Sequence, residues 1–391
     1  MNRPGVASLK LCLGAVALLL AVEAVAEGSI RWDRSSDRVV SHTGKAAAYP
    51  RAKRLSNGDI LLGYHHGGGL GEYGTWVSLR RSADGGKTWK AARDVEGPEG
   101  EEFWGFSNVD FLELGGGRML LVTAGRGKAV AGQPEFLSEC ARSELRLRFS
   151  DDFGATWGPP RSLSRGRGRV WEPSAVQLPS GEFEIYFANE APDLLREGRL
   201  DQRIEIVRSR DAGETWSLPV EVSQHPGARN GMPSAIVLRN GRVACAQELV
   251  RGGTSPWITQ TKHGRPVEEY LAQTRHGFGA APFLLGVDGR FTLLAFHSGQ
   301  GKQAAPPEAS VPWMFTNVFV QRGDANAKSF GDATQPWGEL PPGSGVFFPS
   351  LLMKDERTIV ALASFLTHGE GETSRTEVHW IEGALDPEPQ R

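Results

Sequence analysis

Six apolar hairpins and a turn string that occurs three times predict an all-β chain, a six-bladed β-propeller built from four-stranded antiparallel blades. The string is S-x-D-x-G-x-T-W, found as SADGGKTW (Ser82 to Trp89), SDDFGATW (Ser150 to Trp157) and SRDAGETW (Ser209 to Trp216). The hairpins turn at Asn57-Gly58, Gly115 to Gly117, Ser180-Gly181, Asn240-Gly241, Asp288-Gly289 and Asp355-Glu356. Asn-Gly and Asp-Gly supply the positive-φ residues that two-residue hairpin turns need. A spacing of roughly 50 to 65 residues between turns leaves room for four strands and one or two long loops per unit.

Each Trp-ending string follows the second strand of one of the first three hairpins, where the turn from third to fourth strand belongs. Its Gly permits a tight backbone, and its Asp, Ser and Thr can satisfy turn amides. Trp89, Trp157 and Trp216 are expected buried at the periphery between neighbouring sheets. The string is therefore scaffolding. The stretch from Ser374 to Leu385 is expected to complete a blade by pairing with the N-terminal part of the chain.

The 391 residues carry a formal charge of −2 and no basic block, which gives no electrostatic footprint for nucleic acid or an anionic membrane. Arg3 and Lys10 precede the apolar run LCLGAVALLLAV, and Ala24-Val25-Ala26 forms an A-x-A exit. This describes a secretory signal at residues 1–26 with cleavage after Ala26, followed by a single propeller domain over 27–391 and a secreted or periplasmic protein. Beyond the leader only Cys140 and Cys245 remain, read here as two buried free thiols rather than a disulfide.

A propeller places its site over the central channel, fed by the first strands of the blades. On that side stand Arg51 in YPRAKRL, Glu172 in VWEPSAVQL, Asn189 and Glu190 at the end of FANE, and Glu248 at the end of AQE. Two converging carboxyls are what glycoside hydrolysis needs: one protonated to release the leaving oxygen, the other ionised to attack or to activate water. Arg51 could hold substrate oxygens or form an ion pair inside the channel. His297 ends a strand of the fifth hairpin, and Trp104 and Trp313 are candidate sugar platforms. His65 and His66 adjoin in a strand, point to opposite faces, and so make no joint metal site. No cofactor or metal is expected, and the partner expected of a monomer of this kind is an oligosaccharide or polysaccharide.

S-x-D-x-G-x-T-W resembles the Asp-box of the sialidase-type propellers, whose six blades match the six hairpins. In that family the boxes lie opposite the active site. Arg51 resembles the first of the family's three arginines, and Glu172 resembles its tyrosine-activating glutamate. Two departures disfavour sialidase chemistry in its usual form. Asn189-Glu190 stands where an arginine usually closes the hairpin, and Phe347-Phe348 stands where the nucleophilic tyrosine is expected.

WEPSAVQLPSGEFEIYFANE followed by GMPSAIVLRNGRVACAQE is more similar to glycoside hydrolase family 93, the exo-acting arabinanases. That resemblance implies release of disaccharide from α-1,5-linked L-arabinan with retention. It makes Glu172 the acid/base, with a raised pKa, and Glu248 the nucleophile. It also implies that specificity is set by long loops after Glu190 and between Glu248 and Gly279. The alternatives are a sialidase-like exo-glycosidase acting on another sugar, and a carbohydrate-binding propeller without turnover.

Overall fold

The computed structural model describes residues 30–41, 46–67, 74–196, 199–272, 279–299, 314–367 and 375–386. They form six four-stranded antiparallel sheets, as the hairpin count predicts. Blade one holds Ala47–Arg54, Ile60–Gly67, Thr75–Ser82 and Arg93–Glu96. Blade two holds Phe103–Gly115, Arg118–Gly127, Glu144–Ser150 and Arg161–Leu163. Blade three holds Arg169–Gln177, Phe183–Glu190, Arg203–Ser209 and Val220–Ser223. Blade four holds Arg229–Val237, Val243–Val250, Thr254–Lys262 and Arg265–Leu271. Blade five holds Ala280–Val287, Phe291–Ser298, Asn317–Gly323 and Phe330–Thr334.

Blade six is closed by both ends of the chain. Gly345–Met353, Thr358–Thr367 and Arg375–Leu385 are joined by Ile30–Val39, which pairs Ile30 with Leu385 and Val39 with His379. Strand pairing across the two ends gives blade six its fourth, outermost strand and closes the ring.

The second hairpin has the expected two-residue turn, Gly116-Gly117 between the paired Gly115 and Arg118, but three others differ in detail. The Leu55 amide bonds to Asp59 O and the Gly58 amide to Leu55 O, and the same pair recurs at Leu178/Glu182 with Gly181 and at Leu238/Arg242 with Gly241. These are three-residue loops with glycine in the left-handed region (φ 75 to 90°). The extra residue makes a bulge that a two-residue turn lacks. Blade four does use a two-residue turn, at His263-Gly264 between its third and fourth strands (φ 54° and 71°).

That turn corrects one expectation. Most of the stretch between Glu248 and Gly279 is not a specificity loop, because it supplies the third and fourth strands of blade four. The absence of a Trp-ending string there hid the strands. Blade five carries a diverged turn at the equivalent place, where Asp324 accepts from the Asn326, Lys328 and Ser329 amides and from the Ser329 hydroxyl.

The three Trp-ending strings are one structure repeated. In the third, Ser209 Oγ accepts the Gly213 amide at 2.8 Å, and Asp211 accepts the Thr215 amide at 2.9 Å and its hydroxyl at 2.5 Å. Ser82/Asp84 and Ser150/Asp152 repeat the pattern. Donation by the Thr side chain and amide holds Asp152 and Asp211 down to a pKa of about 2. The three tryptophans are half-buried rather than buried, and each packs on a neighbouring blade. Trp89, for example, meets Trp380 of blade six edge-on at 5.8 Å.

Cys140 and Cys245 are both buried and free. The one α-helix among the described residues, Glu135–Arg142, lies between the second and third strands of blade two. No helix among them is long and apolar enough to cross a membrane.

Candidate active site

Every innermost strand is interrupted by a bulge at the same height. Register shifts fall between Ala48 and Arg51, Ser107 and Asp110, Trp171 and Ser174, Gly231 and Ser234, Ala280 and Phe283, and Phe347 and Ser350. In each gap one non-glycine residue adopts positive φ: Tyr49, Asn108, Glu172, Met232, Ala281 and Phe348. Proline follows in five of the six (Asn108 is followed by Val109), and it has no amide to offer the broken ladder. Bulges re-aim side chains, and non-glycine residues held at positive φ concentrate at functional sites. Here they form one ring around the channel. Because strands alternate in direction, the ring lies at the end of the blades opposite both the hairpin turns and the Asp-boxes.

A second ring stands across the first-to-second strand pairing, one residue before each bulge. Its members are His65, Ala124, Ala188, Glu248, His297 and Ser364. The two rings are tied through backbone amides of the next blade. Glu172 Oε2 accepts from Met232 N at 3.3 Å, Glu248 Oε2 from Ala281 N at 2.8 Å, and Ser364 Oγ from Tyr49 N at 3.0 Å. Two residues beyond the bulges a third set does the same: Asp110 holds Ala175 N, Ser174 holds Ala235 N, and Ser234 holds Leu284 N.

Glu172 and Glu248 thus flank the blade-four bulge from either side. Glu172 holds the Met232 amide, and Glu248 pairs with Gly231, where an added Cβ would lie 3.5 Å from its Oε1. Burial pushes the Glu248 carboxyl upward, opposed by the Ala281 amide and the Arg229 charge. Glu248 stands on the second strand of its blade, opposite Gly231.

Arg51 is buried and follows the first bulge. Its guanidinium lies 4.0 Å over the Tyr49 ring and 5.0 Å from the Phe283 ring, and Nη1 donates to Pro50 O at 2.9 Å. Its charge opposes the burial that raises Asp110. His65 stacks on Tyr49, and burial, with help from the His66 and Arg126 charges, lowers it to about 4. His297 bonds Thr316 Oγ1 through Nδ1, lies beside Phe348 at 5.9 Å, and is lowered by burial to about 3. Both rings are neutral at pH 7. His66 turns to the other face and meets Asp94 at 2.7 Å, as strand alternation requires. No cluster of metal ligands occurs among the described residues.

Asn189 and Glu190 are engaged elsewhere. Glu190 is buried between Arg169 and Arg229 at 2.8 and 2.9 Å, and Asn189 donates to Glu205 at 2.8 Å. Both are tied up in contacts within and between blades rather than turned to the bulge ring. Trp104 is 37% exposed at the start of the blade-two inner strand, with Lys128 4.9 Å over its ring. Trp313 lies outside the described residues.

Two channel residues escaped the sequence reading, Tyr49 and Asp110. The signal was present: X-Pro before the first apolar strand marks five bulges, and Tyr49-Pro50 is the counterpart of Glu172-Pro173.

A family model for the BNR repeat-like domain matches residues 20–248, more than half of the chain. The chain belongs to the BNR repeat-like family. No curated protein sequence matches this BNR repeat-like chain. Among solved structures it is similar to a protein of unknown function from Dyadobacter fermentans, at TM-score 0.71 and 15% identity over 90% of this chain and 99% of that one. It is also similar to a Trypanosoma rangeli sialidase, at TM-score 0.62 and 12% identity over 91% of this chain and 59% of that one. An α-L-arabinofuranosidase from Fusarium graminearum, solved with an iminosugar inhibitor, gives TM-score 0.61 and 17% identity over 88% and 97%. At these identities the likeness to solved structures shows the BNR propeller fold, on which family members carry different activities.

Proposed function

We propose that this protein is a secreted, retaining exo-glycoside hydrolase of arabinanase type, with Glu248 as nucleophile and Glu172 as acid/base. The observation that carries the reading is the placement of the two carboxyls on either side of the blade-four bulge, each with one oxygen fixed on a backbone amide. Fixing one oxygen orients the other without neutralising it. Burial is the largest influence on the Glu248 carboxyl and raises it, and the Ala281 amide and the Arg229 charge partly offset that rise in favour of the ionised form a nucleophile requires. Arg51, braced between two aromatic rings, presents its remaining donors to sugar oxygens.

A second reading is favoured by Tyr49. A tyrosine beside Glu172 and Arg51 is the residue that sialidase chemistry lacked in the sequence, although it stands on blade one instead of the sixth hairpin. Burial raises its hydroxyl, and the neighbouring carboxylates raise it further against the Arg51 charge, which opposes a phenolate nucleophile. The deciding experiment incubates purified protein with linear α-1,5-arabino-oligosaccharides and with a simple α-sialoside, following the anomeric configuration of the product by NMR. Disaccharide released with retention, and no sialoside cleavage, is expected. Sialoside cleavage with no action on the arabino-oligosaccharides would overturn the first reading.

A further inference from the structure

Tyr49 crosses the channel. From blade one its ring packs with Met232 of blade four and Ala281 of blade five, and Phe348 of blade six meets it edge-on at 5.7 Å. Its position is over-determined. The amide is held by Ser364 Oγ, the backbone is fixed at φ 57°, Arg51 covers the ring at 4.0 Å, and His65 stacks at 6.1 Å. Such a residue cannot swing away to find water.

Its hydroxyl is nevertheless buried without a hydrogen-bond partner among the described residues. The carboxylates of Glu172, Asp110 and Glu248 all act on it electrostatically. Each of them keeps one oxygen on the amide of the next blade: Met232, Ala175 and Ala281. A buried hydroxyl left unpaired is destabilising, so a rigid one among three carboxylates is a donor held for something that arrives later. A sugar fits that description, since its oxygens accept from the phenol while its hydroxyls donate to carboxylates.

We infer that Tyr49 is the floor of the sugar subsite and donates its hydroxyl hydrogen to an oxygen of the sugar held between Glu172 and Glu248. The inference rests on the glycosidase reading but not on the identity of the sugar. Tyr49 is a binding and positioning residue here. It forms no covalent bond, and its proton stays on the phenol.

The test compares wild type with Tyr49→Phe. Calorimetric affinity is measured for L-arabinose, α-1,5-arabinobiose and N-acetylneuraminic acid, and Tm is measured without sugar. For the sugar that wild type binds, Tyr49→Phe is expected to weaken affinity about tenfold, the value of one neutral hydrogen bond at the upper end of its range. Tm without sugar is expected to stay the same or rise, because no bond is lost. A fall in Tm with unchanged affinity would overturn the inference in favour of a structural hydroxyl. Abolished turnover with affinity retained would overturn it in favour of a reacting phenol. If wild type binds N-acetylneuraminic acid and not the arabinose sugars, the arabinan reading falls while Tyr49→Phe still tests the floor. Binding of none of the three sugars would overturn both.

Discussion

Glu248 and Ala281 are joined across two blades, the Ala281 amide donating to Glu248 Oε2 at 2.8 Å. The donor is the bulge residue of blade five, at φ 45°, so the carboxyl is anchored by the distortion of the neighbouring sheet. A nucleophile fixed in this way gains orientation without losing its second oxygen.

Replacing Glu248 by Gln keeps the shape and one acceptor but removes the nucleophile. Turnover is expected to fall on the order of 10⁴-fold or more for any leaving group. In wild type, burial raises the Glu248 carboxyl. Activity that needs the ionised form is therefore lost as pH falls, beginning above the ordinary glutamate value of about 4.3. The acid limb of a kcat/KM profile measures this. A limb at or below that value would remove Glu248 from the nucleophile's role.

Glu172→Gln should behave differently. With a nitrophenyl leaving group the first step needs no proton, so this variant is expected to recover much of its turnover relative to a natural oligosaccharide. An equal loss on both substrates would argue against an acid/base role.

His65 and His297 shape the acid stability of the protein. Their folded values, about 4 and about 3, lie below the unfolded histidine value of about 6.5. Between those limits the unfolded chain binds more protons. Their stabilising effect is thus complete above about pH 6.5 and is lost as pH falls towards 4. A His65→Gln, His297→Gln double variant should show a shallower decline of Tm between pH 6.5 and 4 than wild type. Parallel curves would contradict the burial of neutral rings.

The Asp-boxes should matter to folding alone. Ser209→Ala leaves the Gly213 amide without its acceptor, at an expected cost of about 1–3 kcal/mol in urea unfolding. Sugar affinity and kcat are expected to be unchanged, because the boxes lie at the opposite end of the blades. A selective loss of activity would place the box nearer the chemistry than the topology does.

The sequence by itself determined the blade count, the Asp-boxes and the pairing of the chain's two ends, because hairpin turns and box strings are local chemistry repeated at a fixed period. Ser209 to Trp216 specifies its own turn through hydrogen bonds made within the string. It also brought Glu172 and Glu248 forward, since both stand beside apolar strands on the channel side. Only the tertiary structure decided what those side chains meet. Ring closure sets blade one against blades four and five, so Tyr49 reaches Met232 and Ala281, nearly 200 residues away or more. The same closure ties Glu190 to Arg169 and Arg229 instead of leaving it open to substrate. A bulge repeated in every inner strand sets six unlike residues in one ring, and four of them, Tyr49, Met232, Ala281 and Phe348, pack together. That convergence comes from register and closure, long-range properties that no single stretch of the chain encodes.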